Sequence, residues 1–298
     1  MELRSKLTLG DKVEQTVLHI ILIFCTLSAL LPFVLLIMSS FTDEQAIRLA
    51  GYNFWPAKWS LYAYEWLFVA NLDGIVRAYG LTILVTVIGT TLSMLVAPML
   101  AYALSRRDYK RATLFSFLVF FTIIFNGGMV PSYMMWTTLF GLKNTIFAYL
   151  FPNLLFNGFL IMIMKNFFQQ NIHPALLESA RIDGAGELKI YFRIVMPLSL
   201  PILATIGLMV GLAYWNDWVN GLYYITQSKM YTIQVTLNQI LLNSQALAAM
   251  GSAVPTLPLP SNTVRMAIAV VGTIPILLLY PFFQKYYVKG ISLGGVKE

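Results

Sequence analysis

Val17-Leu-His-Ile-Ile-Leu-Ile-Phe-Cys-Thr-Leu-Ser-Ala-Leu-Leu-Pro-Phe-Val-Leu-Leu-Ile-Met38 contains no Asp, Glu, Lys or Arg and only one proline, Pro32. About 20 consecutive apolar residues let an α-helix cross the hydrocarbon core of a bilayer, so this run is read as a membrane span. It is too long for the core of a signal peptide, and no small-x-small cleavage site follows, so the span is read as uncleaved. Working outward, five further runs have the same character: 78–104, 113–130, 145–164, 198–222 and 263–281. The far end of the third is interrupted by Asn126-Gly127-Gly128 and Pro131. The fold class expected is an all-α polytopic membrane protein, one transmembrane domain over 1–298 with six spans and both termini on one side.

Composition agrees. Of the 298 residues, 58% are apolar and 11% are Asp, Glu, Lys or Arg, against about 25% charged in soluble domains. With a mean hydropathy of +0.71, a water-soluble domain is excluded. The formal charge of +7 is a topology signal. Arg4, Lys6 and Lys12 lie before span one, and Arg106, Arg107, Lys110 and Arg111 follow span two. Lys165, Arg181, Lys189 and Arg193 follow span four, and Lys285, Lys289 and Lys297 follow span six. These fourteen cations share one face, and six (Arg48, Arg77, Lys58, Lys143, Lys229 and Arg265) fall on the other. The bias places both termini in the cytoplasm and needs no nucleic-acid partner. The sole cysteine, Cys25, excludes an intramolecular disulfide and any multi-cysteine metal site.

Two external loops are long. The first, 40–77, carries Trp55, Trp59, Tyr62, Tyr64 and Trp66, which suit an interfacial aromatic belt or a docking surface for an external partner. The last, 223–262, is expected to hold an amphipathic turn or two around Thr236 to Leu247, then an extended stretch through Pro255, Pro258 and Pro260.

No phosphate-binding loop, H-E-x-x-H or G-x-S-x-G occurs, so no catalytic or metal site is assigned. His19 and His173 read as interfacial or capping residues. An ionisable group inside a span is costly and hence a functional candidate. Asp217, in Tyr214-Trp215-Asn216-Asp217-Trp218, is either an interfacial acid among aromatic neighbours or a polar group facing a water-filled path. The span-embedded amides Asn126, Asn153 and Asn157 can simply join helices. Together with Met129, Tyr214, Trp215 and Asn216 they would suit a sugar, whose hydroxyls take amide partners and whose apolar face stacks on rings.

Between spans four and five, 171–197 reads Asn-Ile-His-Pro-Ala-Leu-Leu-Glu-Ser-Ala-Arg-Ile-Asp-Gly-Ala-Gly-Glu-Leu-Lys-Ile-Tyr-Phe-Arg-Ile-Val-Met-Pro. Pro174 suits the first turn of a helix that stops at Asp183-Gly184. Leu176, Leu177 and Ala180 share one face by the three-and-four spacing. Asp183 is expected to cap a second helix ending before Pro197.

This segment resembles the signature of ABC-importer permease subunits: E-A-A, three residues, G, nine residues, I-x-L-P. Here Glu178-Ser179-Ala180, Gly184, Ile194 and Met196-Pro197 stand at matching spacing, with Ser179 for Ala and Met196 for Leu. Gly141-Leu-Lys-Asn-Thr145 and Trp215-Asn216 resemble the carbohydrate class typified by the maltose importer's smaller permease. Within that class the chain looks closest to permeases for polysaccharide fragments such as alginate or pectic oligosaccharides. The resemblance implies a coupling helix built from Glu178, Ser179, Ala180, Arg181, Asp183, Gly184 and Ala185, seated on a cytoplasmic ATPase subunit. It implies two such ATPases carrying ATP and Mg, a second and different permease forming a heterodimer, an external solute-binding protein, and a bacterial inner-membrane location. The chain itself would bind no cofactor, and the first function expected is oligosaccharide import by alternating access. The alternative is a self-contained secondary transporter or channel for a small polar solute, which predicts activity from this chain alone; a membrane enzyme is argued against by the missing catalytic clusters.

Overall fold

The computed structural model describes residues 9–249 and 261–294. Arg4, Lys6, Lys297 and the loop prolines Pro255, Pro258 and Pro260 lie outside them. Among the described residues there is no β-strand, only one antiparallel bridge between Thr42 and Trp59. The helices are α1 (Leu9–Ser40), α2 (Glu44–Ala50), α3 (Tyr62–Ser105), α4 (Ala112–Ile124), α5 (Met129–Met134), α6 (Phe147–Leu150) and α7 (Gly158–Asn171). They continue as α8 (Pro174–Ile182), α9 (Glu187–Ile190), α10 (Met196–Leu198), α11 (Leu200–Trp215), α12 (Val219–Tyr224), α13 (Ile233–Ala249) and α14 (Ser261–Gly294). Two compact units result, Met1–Leu72 with Leu241–Thr273, and Asp73–Ile240 with Ile274–Glu298.

Among the described residues, three helical stretches are long and apolar enough to cross a membrane: Val13–Ser40, Leu72–Ser105 and Leu200–Tyr224. The first leaves every side chain from Val13 to Val34 exposed, as suits a helix whose solvent is hydrocarbon. The expected third span departs from a straight rod, because Ala112–Ile124 and Met129–Leu139 meet at 114°. Asn126 Oδ1 accepts from Gly128 N at 2.9 Å, and Gly128 sits at φ +89°, so the Asn-Gly-Gly corner turns the chain instead of fraying a helix end.

The expected fourth span, 145–164, is broken. After α6 come Pro152 and Asn153, the latter at φ +61°, and α7 starts only at Gly158, where Asn157 Oδ1 accepts from Leu160 N at 3.2 Å. A proline disfavours helix in the residue before it, and a left-handed Asn stops the turn. Of the expected sixth span, Asn262–Leu278 forms an apolar stretch within α14.

The first external loop is shorter than 40–77, since α3 begins at Tyr62. Ala63, Leu67, Ile75 and Ala78 are buried at near-helical spacing, a pattern obscured in the sequence by the aromatics between them. Trp55 and Trp59 stay in the loop, edge to face at 5.9 Å, and Tyr64 Oη lies 2.8 Å from Ser40 Oγ. The loop also ties down the start of α14. Asp43 caps α2 through Gln45 N at 3.1 Å, and Glu44 turns inward, 9% exposed. Its carboxylate accepts from Asn262 N at 3.1 Å, Asn262 Nδ2 at 3.0 Å, Thr263 N and Thr263 Oγ1 at 3.0 Å each, and Arg48 Nε at 3.1 Å. Two first-turn N–H groups of α14, which have no partner within their own helix, are thereby satisfied by an anion at the positive end of the helix dipole. In the connection 223–262, the expected amphipathic turns around Thr236 to Leu247 are realised as the longer α13.

Candidate functional site

The main core of the second unit gathers Tyr149, Ile161, Met164, Phe168, Ile190, Ile206 and Tyr214, all under 3% exposed. Two polar arrangements are built on it.

One lies at the break between α6 and α7. A buried carbonyl freed from its helix needs a partner inside the protein, and side chains of α11 and α12 supply it. Tyr214 Oη donates to Leu150 O at 2.9 Å and Asn220 Nδ2 donates to Pro152 O at 3.1 Å. Tyr149 Oη donates to Met230 O at 2.9 Å. Tyr214, read from sequence as a sugar-facing ring, is 1% exposed with its hydroxyl engaged in this joint. Trp215 packs 6.3 Å from the Tyr79 ring and borders an apolar cavity of about 390 Å³ with Thr90, Gly207, Gly211 and Leu212. Asn216 is exposed and donates to Leu212 O at 2.9 Å. Asp217 Oδ1 accepts from Asn220 N at 3.1 Å, while Oδ2 is buried without a hydrogen bond. Asn153 and Asn157 are a turn and a cap, Asn126 is a corner, and Met129 opens α5 at 55% exposure. The described structure does not gather these eight residues around one cavity.

The other arrangement is the segment 171–197. His173 is the N-cap of α8, its ring nitrogen accepting from Ala175 N at 3.3 Å, and Pro174 occupies the first turn as expected. The helix closes in a Schellman motif: Ala185 N donates to Ala180 O at 3.0 Å and Gly184 N to Arg181 O at 2.9 Å, with Gly184 at φ +77°. Asp183 is therefore the C-cap of the first helix, not the cap of a second; Gly186 precedes α9. Nor does the second helix end before Pro197. A π-turn over Tyr191–Val195 carries the chain through Met196-Pro197 into α10, the wider turn giving room where a proline removes a donor and crowds the preceding turn. Of the expected apolar face, Leu177 and Ala180 are buried, but Leu176 is 40% exposed. Glu178, Ser179, Asp183 and Gly184 are exposed, and Ile182, at 86%, stands beside them.

Beneath this helix four charges form a closed ring that sequence reading missed. Arg106 forks onto Asp108 (Nε–Oδ1 2.9 Å, Nη2–Oδ2 2.6 Å) and reaches Glu187 Oε2 at 3.1 Å. Arg181 meets Asp108 Oδ2 at 2.9 Å and Glu187 Oε1 through Nε at 2.8 Å. Arg106 is 11% exposed and also donates to Tyr102 Oη at 2.7 Å. The Arg106 fork, joined by Arg181, holds the Asp108 carboxyl well below the usual carboxylate range. Asp108 in turn pushes Arg106 up, and Glu187 followed by Asp108 does so for Arg181. An Arg-Arg-Asp triplet after span two is visible in the sequence, but nothing in it announces a meeting with Glu187.

With this geometry in place, relatedness decides the family. The family model described as "Binding-protein-dependent transport system inner membrane component" matches residues 89–293. The chain belongs to that family. The polygalacturonan/rhamnogalacturonan transport system permease protein YtcP of Bacillus subtilis is 41% identical over 280 residues, 93% of this chain and 95% of that one. The arabinooligosaccharides transport system permease protein AraQ of Halalkalibacterium halodurans is 28% identical, with 92% and 93% covered. A solved chain from a bacterial ABC transporter involved in the import of the acidic polysaccharide alginate superposes with a TM-score of 0.75 at 29% identity, covering 96% of this chain and 100% of that one. This is a membrane-embedded permease component of an ABC transporter, of the carbohydrate type the signature suggested.

Proposed function

We propose that the chain is one half of the membrane channel of an ATP-driven importer, and that its cargo is an acidic oligosaccharide of the uronate class. The observation that carries the reading is the 41% identity, over nearly both full lengths, to a polygalacturonan/rhamnogalacturonan permease; the alginate importer chain supports it. Six spans with cytoplasmic termini, the broken third and fourth among them, agree with the cation bias. Glu178, Ser179, Ala180, Arg181, Asp183, Gly184 and Ala185 then form the coupling helix on a cytoplasmic ATPase, in an assembly with two ATPases, a second and different permease, and a solute-binding protein. ATP and Mg act at the ATPases, and this chain holds no cofactor of its own. Asn126, Met129, Asn153, Asn157, Tyr214, Trp215, Asn216 and Asp217 remain the candidates for the path, with Asn216 and the free Oδ2 of Asp217 best placed to act. Alternating access then follows from two states that differ in their affinity for nucleotide and binding protein.

The test is reconstitution. Purified with its operon partners, the chain is expected to retain an ATPase and, in vesicles supplied with binding protein, to take up oligogalacturonate only with ATP. Uptake by the chain alone in liposomes would instead make it a self-contained transporter. In the complete assembly, Asn216→Ala or Asp217→Ala is expected to alter uptake while the ATPase stays bound; unchanged uptake and preference in both would remove them from the path.

A further inference from the structure

We propose that Arg106, Asp108, Arg181 and Glu187 are positioning residues that clamp the coupling helix to the end of α3, so that the ATPase stroke reaches the second span directly as well as through the chain-continuous spans four and five. The inference rests on the importer reading above. Along the backbone Arg181 is far from Arg106, with the third and fourth spans between them. Across the ring the two are separated only by Asp108 on one side and Glu187 on the other.

Three features make the ring a mechanical link and not a surface decoration. First, it is cyclic: each carboxylate takes both guanidinium groups, so no single contact can slip without loosening the next. Forked arginine pairs of this kind fix geometry as well as charge. Second, it stands on an apolar base. Tyr102, which accepts from Arg106, has its ring 5.4 Å from Tyr191 and 6.4 Å from Phe168, joining α3, the π-turn and α7 below the charges. Third, cavities of about 410 and 460 Å³ flank it, one towards Met99 and Leu188, the other towards Ser105 and Pro174. Side-chain packing is interrupted on both sides, and the charges bridge the gap.

The ring also uses its charges up. Two cations and two anions neutralise one another within the chain, leaving Glu178, Ser179, Ile182 and Asp183 to face outward. A stroke applied to α8 therefore pulls on Asp108 through Arg181, and on Arg106 through Arg181 and Glu187, and both Arg106 and Asp108 follow closely after Ser105, the last residue of α3.

The experiment uses the complete transporter in proteoliposomes with its binding protein, comparing wild type with Arg106→Gln, Glu187→Gln, the double variant, Asp108→Asn and Arg106→Lys. ATPase retention and ATP hydrolysed per sugar imported are both read. Exposed ion pairs are individually weak, so the expected rise in ATP per sugar is about 1.5- to five-fold in each neutralised single variant, with the ATPase retained. The double variant is expected to be no worse than the worse single one, since both remove one interaction, and Arg106→Lys to fall between, because an ammonium cannot fork. An unchanged ratio in Arg106→Gln, Glu187→Gln and Asp108→Asn overturns the clamp. So does loss of the ATPase from these variants, which would make the ring a docking contact. A wild-type assembly that retains no ATPase would overturn the importer reading itself, a result separate from any difference among variants.

Discussion

Removing the Glu44 carboxylate tests whether the connection between α1 and α3 holds the start of α14 in place. Glu44→Ala deletes one acceptor that serves two backbone N–H groups, an amide, a hydroxyl and a guanidinium, all within 3.1 Å. Hydrogen bonds to charged groups contribute about 1.5–3 kcal/mol each, but five around one carboxylate do not add. Removing one partner from a buried charged network costs about 3–5 kcal/mol as a whole. At roughly 2–4 °C per kcal/mol for chains of a few hundred residues, the apparent melting temperature is expected to fall on the order of 10 °C. The assay is heating of the detergent-purified transporter followed by size-exclusion chromatography. Asp43→Ala serves as control: it removes the cap of α2, about 1 kcal/mol, and an exposed ion pair to Lys58 at 3.3 Å that contributes little, and is expected to shift melting by a few degrees. Glu44→Gln, which keeps an acceptor oxygen but not the charge, belongs between the two. A Glu44→Ala shift no larger than that of Asp43→Ala would refute the reasoning, because the start of α14 would then be held by something else.

Gly184 has open space where a Cβ would go, so the obstacle to substitution is its backbone angle and not the room at the corner. Gly184→Val is expected to cost about 1–2 kcal/mol and to uncouple ATP hydrolysis from uptake, with Gly184→Asp milder because Asp tolerates the left-handed region; wild-type coupling in both would remove the corner from the mechanism. Gly89→Ala would place a methyl 2.5 Å from Tyr214 Cε1, and since that ring is pinned to Leu150 O the expected loss is about 1–3 kcal/mol, read as a lower melting temperature. The folded-state pKa of Asp108 lies below its unfolded value, so its stabilising share is present above the ordinary carboxylate range near ~4 and is lost as pH falls through the folded value. The ratio of ATP per sugar between wild type and Asp108→Asn is accordingly expected to stay constant from about pH 8 to pH 5; a change across that window would contradict the charge assignment.

The membrane class and the helix α8 were legible in the sequence because each rests on a local rule. Apolar length gives spans such as Val13–Ser40, while Pro174 and Gly184 mark the two ends of a helix. The interruptions were only partly legible. Pro152 is conspicuous, but a run from Thr145 to Met164 is apolar enough to hide a break whose carbonyls are satisfied from 64 and 68 residues away. The ring around Arg106 was illegible for the same reason: Arg106 and Glu187 are 81 residues apart, and single-chain patterns carry no long-range pairing. Aromatic residues were the hardest to read. Tyr62, Tyr64 and Trp66 looked like loop and are helix, and Tyr214, read as a sugar-facing ring, serves as a strut from α11 to the end of α6.

That strut binds the histories of two spans together. Were α6 continuous with α7, the Leu150 carbonyl would pair within the helix, and the Tyr214 hydroxyl, left with Ser93 Oγ at 3.5 Å, and the Asn220 amide would lose their carbonyl acceptors. Across related permeases these positions are therefore expected to change in concert: a proline at 152 with donors at 214 and 220, or none of the three.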